Sequence, residues 1–185
     1  MTVVFDIFDE SQRPKAPRFA VTPAQRMRGR RMAQIHELHL RQIAQVEALI
    51  VAIDKGSSPE EGAADAMKTL ALSRNYQLFG RLCGQQCRHL NFHHISEDEA
   101  IFPALRRGKP GLDAVLDRLA QEHAAIHGWI ERMLEMVAAY NEHPEPALYE
   151  QLRNTFQTLA GLVRLHFGYE QSELEEALGF FDAPI

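Results

Sequence analysis

Three pairs of metal-ligand residue types, each spaced four apart, stand out in the chain: His93 with Glu97, His123 with His127, and His166 with Glu170. Side chains at i and i+4 of a helix sit one above the other on the same face, so each pair can offer two donors to one point in space. A further stretch upstream carries His36 and His39. A single His at a core position is ordinarily a hydrogen-bonded core residue. A buried polar group without a partner costs roughly 2–7 kcal/mol, and an isolated charge costs more. When every helical stretch puts such groups on its inward face, a shared metal satisfies all of them at once. The chemistry implied is a metal centre in the core of a helical bundle.

Ligand counting narrows the metal. One His from the first stretch joins His93, Glu97, His123, His127, His166 and Glu170, giving five imidazoles and two carboxylates. Two octahedral ions offer about twelve coordination positions. Five go to His, four to two bridging carboxylates and two to a bridging oxygen, leaving one open for a small molecule such as O2. Mixed imidazole and carboxylate donors suit iron, and suit manganese or zinc less well. A ferritin-like site needs Glu on two helices and Glu-x-x-His on the others, so this histidine-rich set does not match it. A structural zinc site takes four tetrahedral ligands, too few to use seven. His36 and His39 lie about 4.5 Å apart along a helix axis, so only one of them can lie level with the site.

The elements that must position these residues read as an all-α, antiparallel up-down four-helix bundle preceded by an irregular arm. Residues 1–23 form the arm, with an apolar stretch (Val3, Val4, Phe5, Ile7, Phe8) and then Pro14, Pro17 and Pro23, a density that argues against regular helix. Residues 24–178 form the bundle and residues 179–185 a short tail. The first helix is expected from Thr22, a good N-cap ahead of Pro23, to Asp54. Met32, His36, His39, Ile43, Val46 and Ile50 repeat along it at 4, 3, 4, 3, 4 spacing, which is a bundle seam. A short helix is expected over 59–72. The second long helix runs from Ser73 to Arg107, with Pro103 kinking or ending it. The third runs from Gly111 to Asn141 and the fourth from Ala147 to Leu178. Short links favour antiparallel neighbours.

Composition excludes several function classes. The chain has 185 residues, 45% of them hydrophobic, enough for one domain with a real core. A net charge of -5 without a basic stripe argues against nucleic acid. The two cysteines, Cys83 and Cys87, sit one helical turn apart, an awkward spacing for a disulfide. Neither a basic, apolar leader after Met1 nor a bilayer-length apolar run is present, so a soluble cytoplasmic protein away from membranes is expected.

Other polar residues read more plainly. His94 lies about 100° around the helix from His93 and is expected beside the site or at the surface, not on the metal. His89 reads as solvated, with an entry path as the other use. Asp98, Glu99 and Glu122 read as a solvated face, unless one accepts a hydrogen bond from a ligating His. Trp129 and Tyr169 read as core aromatics, and Cys83 as a small apolar seam residue.

The segment His93-His94-Ile95-Ser96-Glu97-Asp98-Glu99-Ala100-Ile101-Phe102-Pro103 resembles the second-helix motif of the hemerythrin-like (HHE cation-binding) family. Glu122-His123-Ala124-Ala125-Ile126-His127 resembles its third-helix His-x-x-x-His, and His166-Phe167-Gly168-Tyr169-Glu170 its fourth-helix His-x-x-x-Glu. The resemblance covers roughly residues 30–178. It implies a non-haem di-iron centre, oxo- or hydroxo-bridged, with bridging carboxylates. Family members serve in oxygen binding or sensing, iron homeostasis, and responses to nitric oxide or oxidative stress. The invertebrate oxygen carriers place the fourth-helix carboxylate five residues after the His, where this chain has Gln171. Its Glu170, at four, resembles the bacterial and regulatory branch. His36-Glu37-Leu38-His39 resembles a His-x-x-His of the nitric-oxide-linked members, whose first His ligates, which favours His36 over His39.

The function expected is therefore a non-catalytic metal-binding protein that binds or senses O2, nitric oxide or iron itself, with a diatomic ligand, O2 or nitric oxide, as its small-molecule partner. An enzyme reducing peroxide or nitric oxide is the alternative. A regulatory module with the arm as its output element is the third reading, and it leaves room for a protein partner or a homodimer.

Overall fold

The computed structural model describes residues 7–56, 64–108, 111–143 and 145–184. Every regular element among them is helical. Helix α1 spans Pro23–Gly29, α2 Arg31–Gly56 and α3 Ala64–Ser96. A π-helical turn, Glu97–Ile101, carries α3 directly into α4, Phe102–Gly108. Helices α5, Asp113–Glu142, and α6, Pro146–Phe180, complete the chain. The four long helices pack as a closed set: α2 and α5 each touch both α3 and α6. No helix of the described residues is long and apolar enough to cross a membrane.

The first helix of the sequence reading is broken in two at Arg30. Thr22 and Gln25 form the expected capping box and Pro23 opens α1. The break lets α1 lie against the end of α6 instead of continuing along α2. A β-carbon on Gly29 would overlap the Glu175 carbonyl oxygen, and one on Gly179 would overlap the Gln25 carbonyl oxygen. Only two glycines permit backbones to cross this closely. The expected short helix over 59–72 is not separate: its described part, from Ala64, belongs to α3, while residues 59–63 lie outside the described residues. Pro103 does not end the second long helix either. Phe102 N–H reaches back five residues to the Glu97 carbonyl, and this wider turn takes up the disturbance of a proline that has no N–H to donate. Gly111, at φ 120°, makes the turn into α5 in a conformation that favours glycine.

The core is layered along the bundle. One apolar cluster holds Ile43, Ile50, Phe79, Leu90, Ile126, Met133, Leu152, Phe156 and Val163 among others. A second holds Met32, Ile101, Phe102, Leu105, Leu116, Leu119, Leu174 and Leu178. Each fully buried side chain of this kind contributes about 1.5–3 kcal/mol. Between the clusters, on every long helix, falls a band of buried polar residues: His36 and His39, then His93, His94 and Glu97, then Glu122 and His123, then His166 and Glu170.

The arm is pinned to the bundle. Phe8 is buried in the first cluster. Tyr169 donates to the Pro14 carbonyl at 2.7 Å, and the Ala16 and Phe19 amides donate to Glu173 and Glu176 at 2.8 and 3.1 Å. Residues 1–6, with Val3, Val4 and Phe5 of the expected apolar stretch, lie outside the described residues.

Candidate metal centre

The polar band resolves into two groups of ligand atoms. His36, His93, Glu97 and Glu170 form one, and His94, His123 and His166 the other. The carboxylates join them. Glu97 Oε1 lies 3.3 Å from His93 Nε2 and 3.9 Å from His36 Nε2, while its Oε2 lies 3.5 Å from His123 Nε2. Glu170 Oε2 lies 3.2 Å from His36 Nε2 and 3.6 Å from His166 Nε2. Across the second group, His123 Nε2 and His166 Nε2 are 3.1 Å apart.

Three of the imidazoles are anchored through their other nitrogen. His123 Nδ1 pairs with Asp98 at 2.8 Å, His166 Nδ1 with Glu122 at 3.0 Å, and His36 Nδ1 with the Gln171 amide at 2.8 Å. A carboxylate on Nδ1 accepts the ring proton there and leaves Nε2 of His123 and His166 free to ligate, the arrangement that metal-binding histidines use, while the Gln171 amide fixes the His36 ring. Gln171 is the residue that stands five after His166, so the position without a carboxylate serves to orient His36. Glu122 is itself held by Arg13 of the arm, whose Nε and Nη2 donate to its two oxygens at 2.9 and 3.0 Å. Arg13 also donates to the Leu165 carbonyl at 3.2 Å and lies over the Tyr169 ring. Aromatic packing holds the rings: His36 stacks on Phe167 and His123 on Phe102.

The inward atoms are short of partners. His36 Nε2, His93 Nε2, both His94 nitrogens and all four oxygens of Glu97 and Glu170 are buried without a hydrogen bond. So many orphaned donors and acceptors in one layer would be prohibitive for a finished protein core, whereas cations placed among them satisfy all but one nitrogen of His94. The donor set, neutral imidazole with carboxylate, fits a transition-metal pair.

Burial keeps His93, His94 and His166 in the neutral, ligating form. Burial lowers His94 and His166 well below the ordinary histidine range, and pushes His93 down to about 2. Burial and the neighbouring Glu170 raise Glu97 well above the carboxylate range. Burial also raises Glu170, but the His36 ring, with His93 and His123, outweighs it and holds Glu170 low. Glu122 is raised by burial to about 7 even though Arg13 opposes it.

Of the residues singled out from the sequence, His36, His93, Glu97, His123, His166 and Glu170 come together in these two groups. His127 stands apart: its half-buried ring stacks beside His94 at 5.5 Å, and its Nε2 is also without a partner. His39 is buried 4.9 Å from the His93 ring, outside both groups, and burial with His36 and His89 lowers it to about 4. For His94 the sequence leaves beside the site and at the surface both open. It is fully buried and stacked on His123 at 4.1 Å between centroids. The cause is that α3 packs against α2 on one side and α5 on the other. His93 therefore faces His36 and His39 while His94, about 100° round, faces His123 and His127. Asp98, Glu122 and Gln171 are working parts of the layer; only the first two had been weighed, as solvated residues with hydrogen bonding to a ligand as the exception.

The family model described as the hemerythrin HHE cation binding domain matches residues 30–178. No curated protein and no solved structure matches the chain. The matched span contains every residue of both ligand groups, and the chain belongs to the hemerythrin HHE cation-binding domain family.

Proposed function

We propose that this protein holds two iron ions in the polar layer and binds or senses O2, nitric oxide or iron through them. The carrying observation is that Glu97 and Glu170 each lie within reach of imidazoles of both groups, so that two neighbouring cations would find a carboxylate in common. His36 and His93 with these carboxylates serve one ion. His123 and His166 with the same carboxylates would hold the other, joined by His94 or His127. Iron supplies reversible binding of a diatomic ligand and one-electron chemistry. The protein's part is to keep His93, His94 and His166 neutral by burial, orient His123, His166 and His36 through Asp98, Glu122 and Gln171, and surround the ions with apolar layers that exclude water. The alternating order of the apolar clusters along α2, α3, α5 and α6 supports the up-down bundle that such a centre needs.

Metal analysis and an optical spectrum of protein made in iron-replete cells test this. About two irons per chain with near-ultraviolet charge-transfer absorption are expected. Protein that stays colourless and iron-free after anaerobic reconstitution refutes it. His94→Ala and His127→Ala, compared for iron content, identify which imidazole completes the second set. A cavity beside His93 and Glu97 favours a second reading, an enzyme that reduces peroxide or nitric oxide. Sustained turnover with a reductant, lost in His93→Ala, supports that reading; stoichiometric binding without turnover rejects it. As a regulatory module, the protein would lose partner binding or self-association, but not iron, when residues 1–23 are removed. A cytoplasmic location, by fractionation, is expected of all three readings.

A further inference from the structure

The cavity beside the metal centre has a volume of about 430 Å³ and lies between α2 and the end of α3 with its π-helical turn. That is within the size range of small-molecule sites. At roughly 30 Å³ for a group the size of a water molecule, it has room for about fourteen such groups, far more than a diatomic ligand fills. Its walls are apolar: Met32, Ile35, Leu38, Phe92 and Ile101. Leu38 and Phe92, 50% and 72% exposed, stand at its mouth.

The floor is polar and incompletely paired. His39 and Gln42 stand three residues apart on one face of α2, and both line the cavity. His39 is only 5% exposed. His39 Nδ1 and Gln42 Oε1 are buried atoms without a hydrogen-bond partner. Neither residue falls in the two ligand groups, so a metal ion does not answer their need. No Lys or Arg lines the cavity, whereas Glu97 does. An anionic head group would meet no counter-charge there. A hydroxyl both donates and accepts, so it satisfies an imidazole nitrogen and an amide together, whichever way round the amide lies.

We propose that this cavity binds a neutral, medium-chain aliphatic molecule ending in a hydroxyl, with the hydroxyl on His39 and Gln42 and the chain between Ile35, Leu38 and Phe92. The bound molecule's polar end then lies next to His93 and Glu97. The site extends the protein's repertoire from diatomic ligands to an organic one.

Straight-chain 1-alkanols titrated calorimetrically into the full chain, both iron-loaded and metal-stripped, test the proposal. Affinity is expected to rise about fourfold per added methylene and to level off near twelve carbons, where the cavity is full. Octanoate should bind about tenfold more weakly than 1-octanol, because its charge is unpaired in the cavity. Ala100→Phe fills the exposed mouth and should bring the plateau to shorter chains. Gln42→Leu should weaken 1-octanol about fivefold while circular dichroism and iron content stay unchanged. A steady rise without a plateau, identical in Ala100→Phe, is non-specific partition and overturns the proposal. Octanoate binding as tightly as 1-octanol overturns it too. So does self-association through Leu38 and Phe92 that 1-decanol fails to displace. Because the metal-stripped chain is titrated in parallel, absence of iron defeats only the function proposed above, and absence of alkanol binding in both forms defeats only this one.

Discussion

Replacing Arg13 by Met is the sharpest test of how the arm supports the metal layer. The guanidinium makes two hydrogen bonds to Glu122 and a third to the Leu165 carbonyl, with side-chain exposures of 3% and 0% for the ion pair. Removing one partner of a buried pair costs about 3–5 kcal/mol, because the other charge is left in a poor solvent. The lower end applies here. Burial has already raised Glu122 to about 7 against the opposing pull of Arg13, so an unpaired Glu122 takes up a proton at neutral pH and escapes part of the penalty. The expected loss is about 3 kcal/mol, or a fall in Tm of about 6–12 °C for a chain of this size. It should be larger at pH 8 than at pH 5.5, since Arg13 stabilises the charged form of Glu122, which is present at the higher pH and lost as pH falls through about 7. Metal-stripped protein followed by circular dichroism through thermal and urea unfolding gives the number free of iron binding. Adding Glu122→Gln removes the stranded acid and leaves an oxygen to accept from His166. The double variant should therefore recover about 2 kcal/mol relative to the sum of the single losses. A loss below about 0.5 kcal/mol in Arg13→Met, or strict additivity in the cycle, would refute the reasoning.

Gly179→Ala should cost about 2–3 kcal/mol in the same unfolding assay, since its β-carbon meets backbone and not a pliable side chain; a neutral result would mean that the close α1–α6 crossing is not needed. Burial pushes the Cys87 thiol up to about 12 and Cys83 well above its ordinary range. Both thiols should therefore resist Ellman's reagent in the folded protein and react on unfolding, and rapid labelling of the native state would contradict this. The carboxyls of Glu173 and Glu176 lie below their ordinary value of 4.5 in the folded protein, Glu173 against the cost of burial and chiefly through the Ala16 amide, Glu176 chiefly through the Phe19 amide. Their contribution to arm docking is whole above that value and is lost as pH falls through the depressed values. The Ala16 and Phe19 amide resonances should move as pH is lowered from 6 to 3; constant shifts would show that these carboxylates do not hold the arm.

Most of the bundle was legible because burial in a bundle repeats at 4 and 3 spacing. Met32, Ile43, Val46 and Ile50 are all buried as that repeat requires. The ligand pairs were legible for the same reason, since residues four apart share a face. What escaped has particular causes. For His94 the sequence leaves beside the site and at the surface both open, and burial decides for the first, because α3 has neighbours on two sides and buries a wider arc. Arg13 and Glu122 are 109 residues apart, and no local pattern connects a proline-rich arm to a polar position on α5. The break at Arg30 depends on Gly29 meeting Gly179, a close approach visible only in three dimensions. The π-helical turn did leave a trace. Carried past Glu97, the repeat would bury Ala100 and Ala104, yet it is Ile101 and Leu105 that are buried.

That one-residue slip makes Glu97–Ile101 a phase shifter. Upstream, the helix is indexed to the metal layer; downstream, it is indexed to the apolar cluster that holds Phe102 and Leu105. The two parts of the protein run on different reading frames of the same rod, and the surplus residue is the conversion between them. Deleting a single residue, such as Glu99, would restore an uninterrupted α-helical count. It would also swing everything beyond by about 100°, turning Phe102 and Leu105 towards solvent or else dragging Glu97 off the ions. The site and the end of the bundle are thus locked by counting as much as by contact. In this segment the number of residues matters as much as their identity.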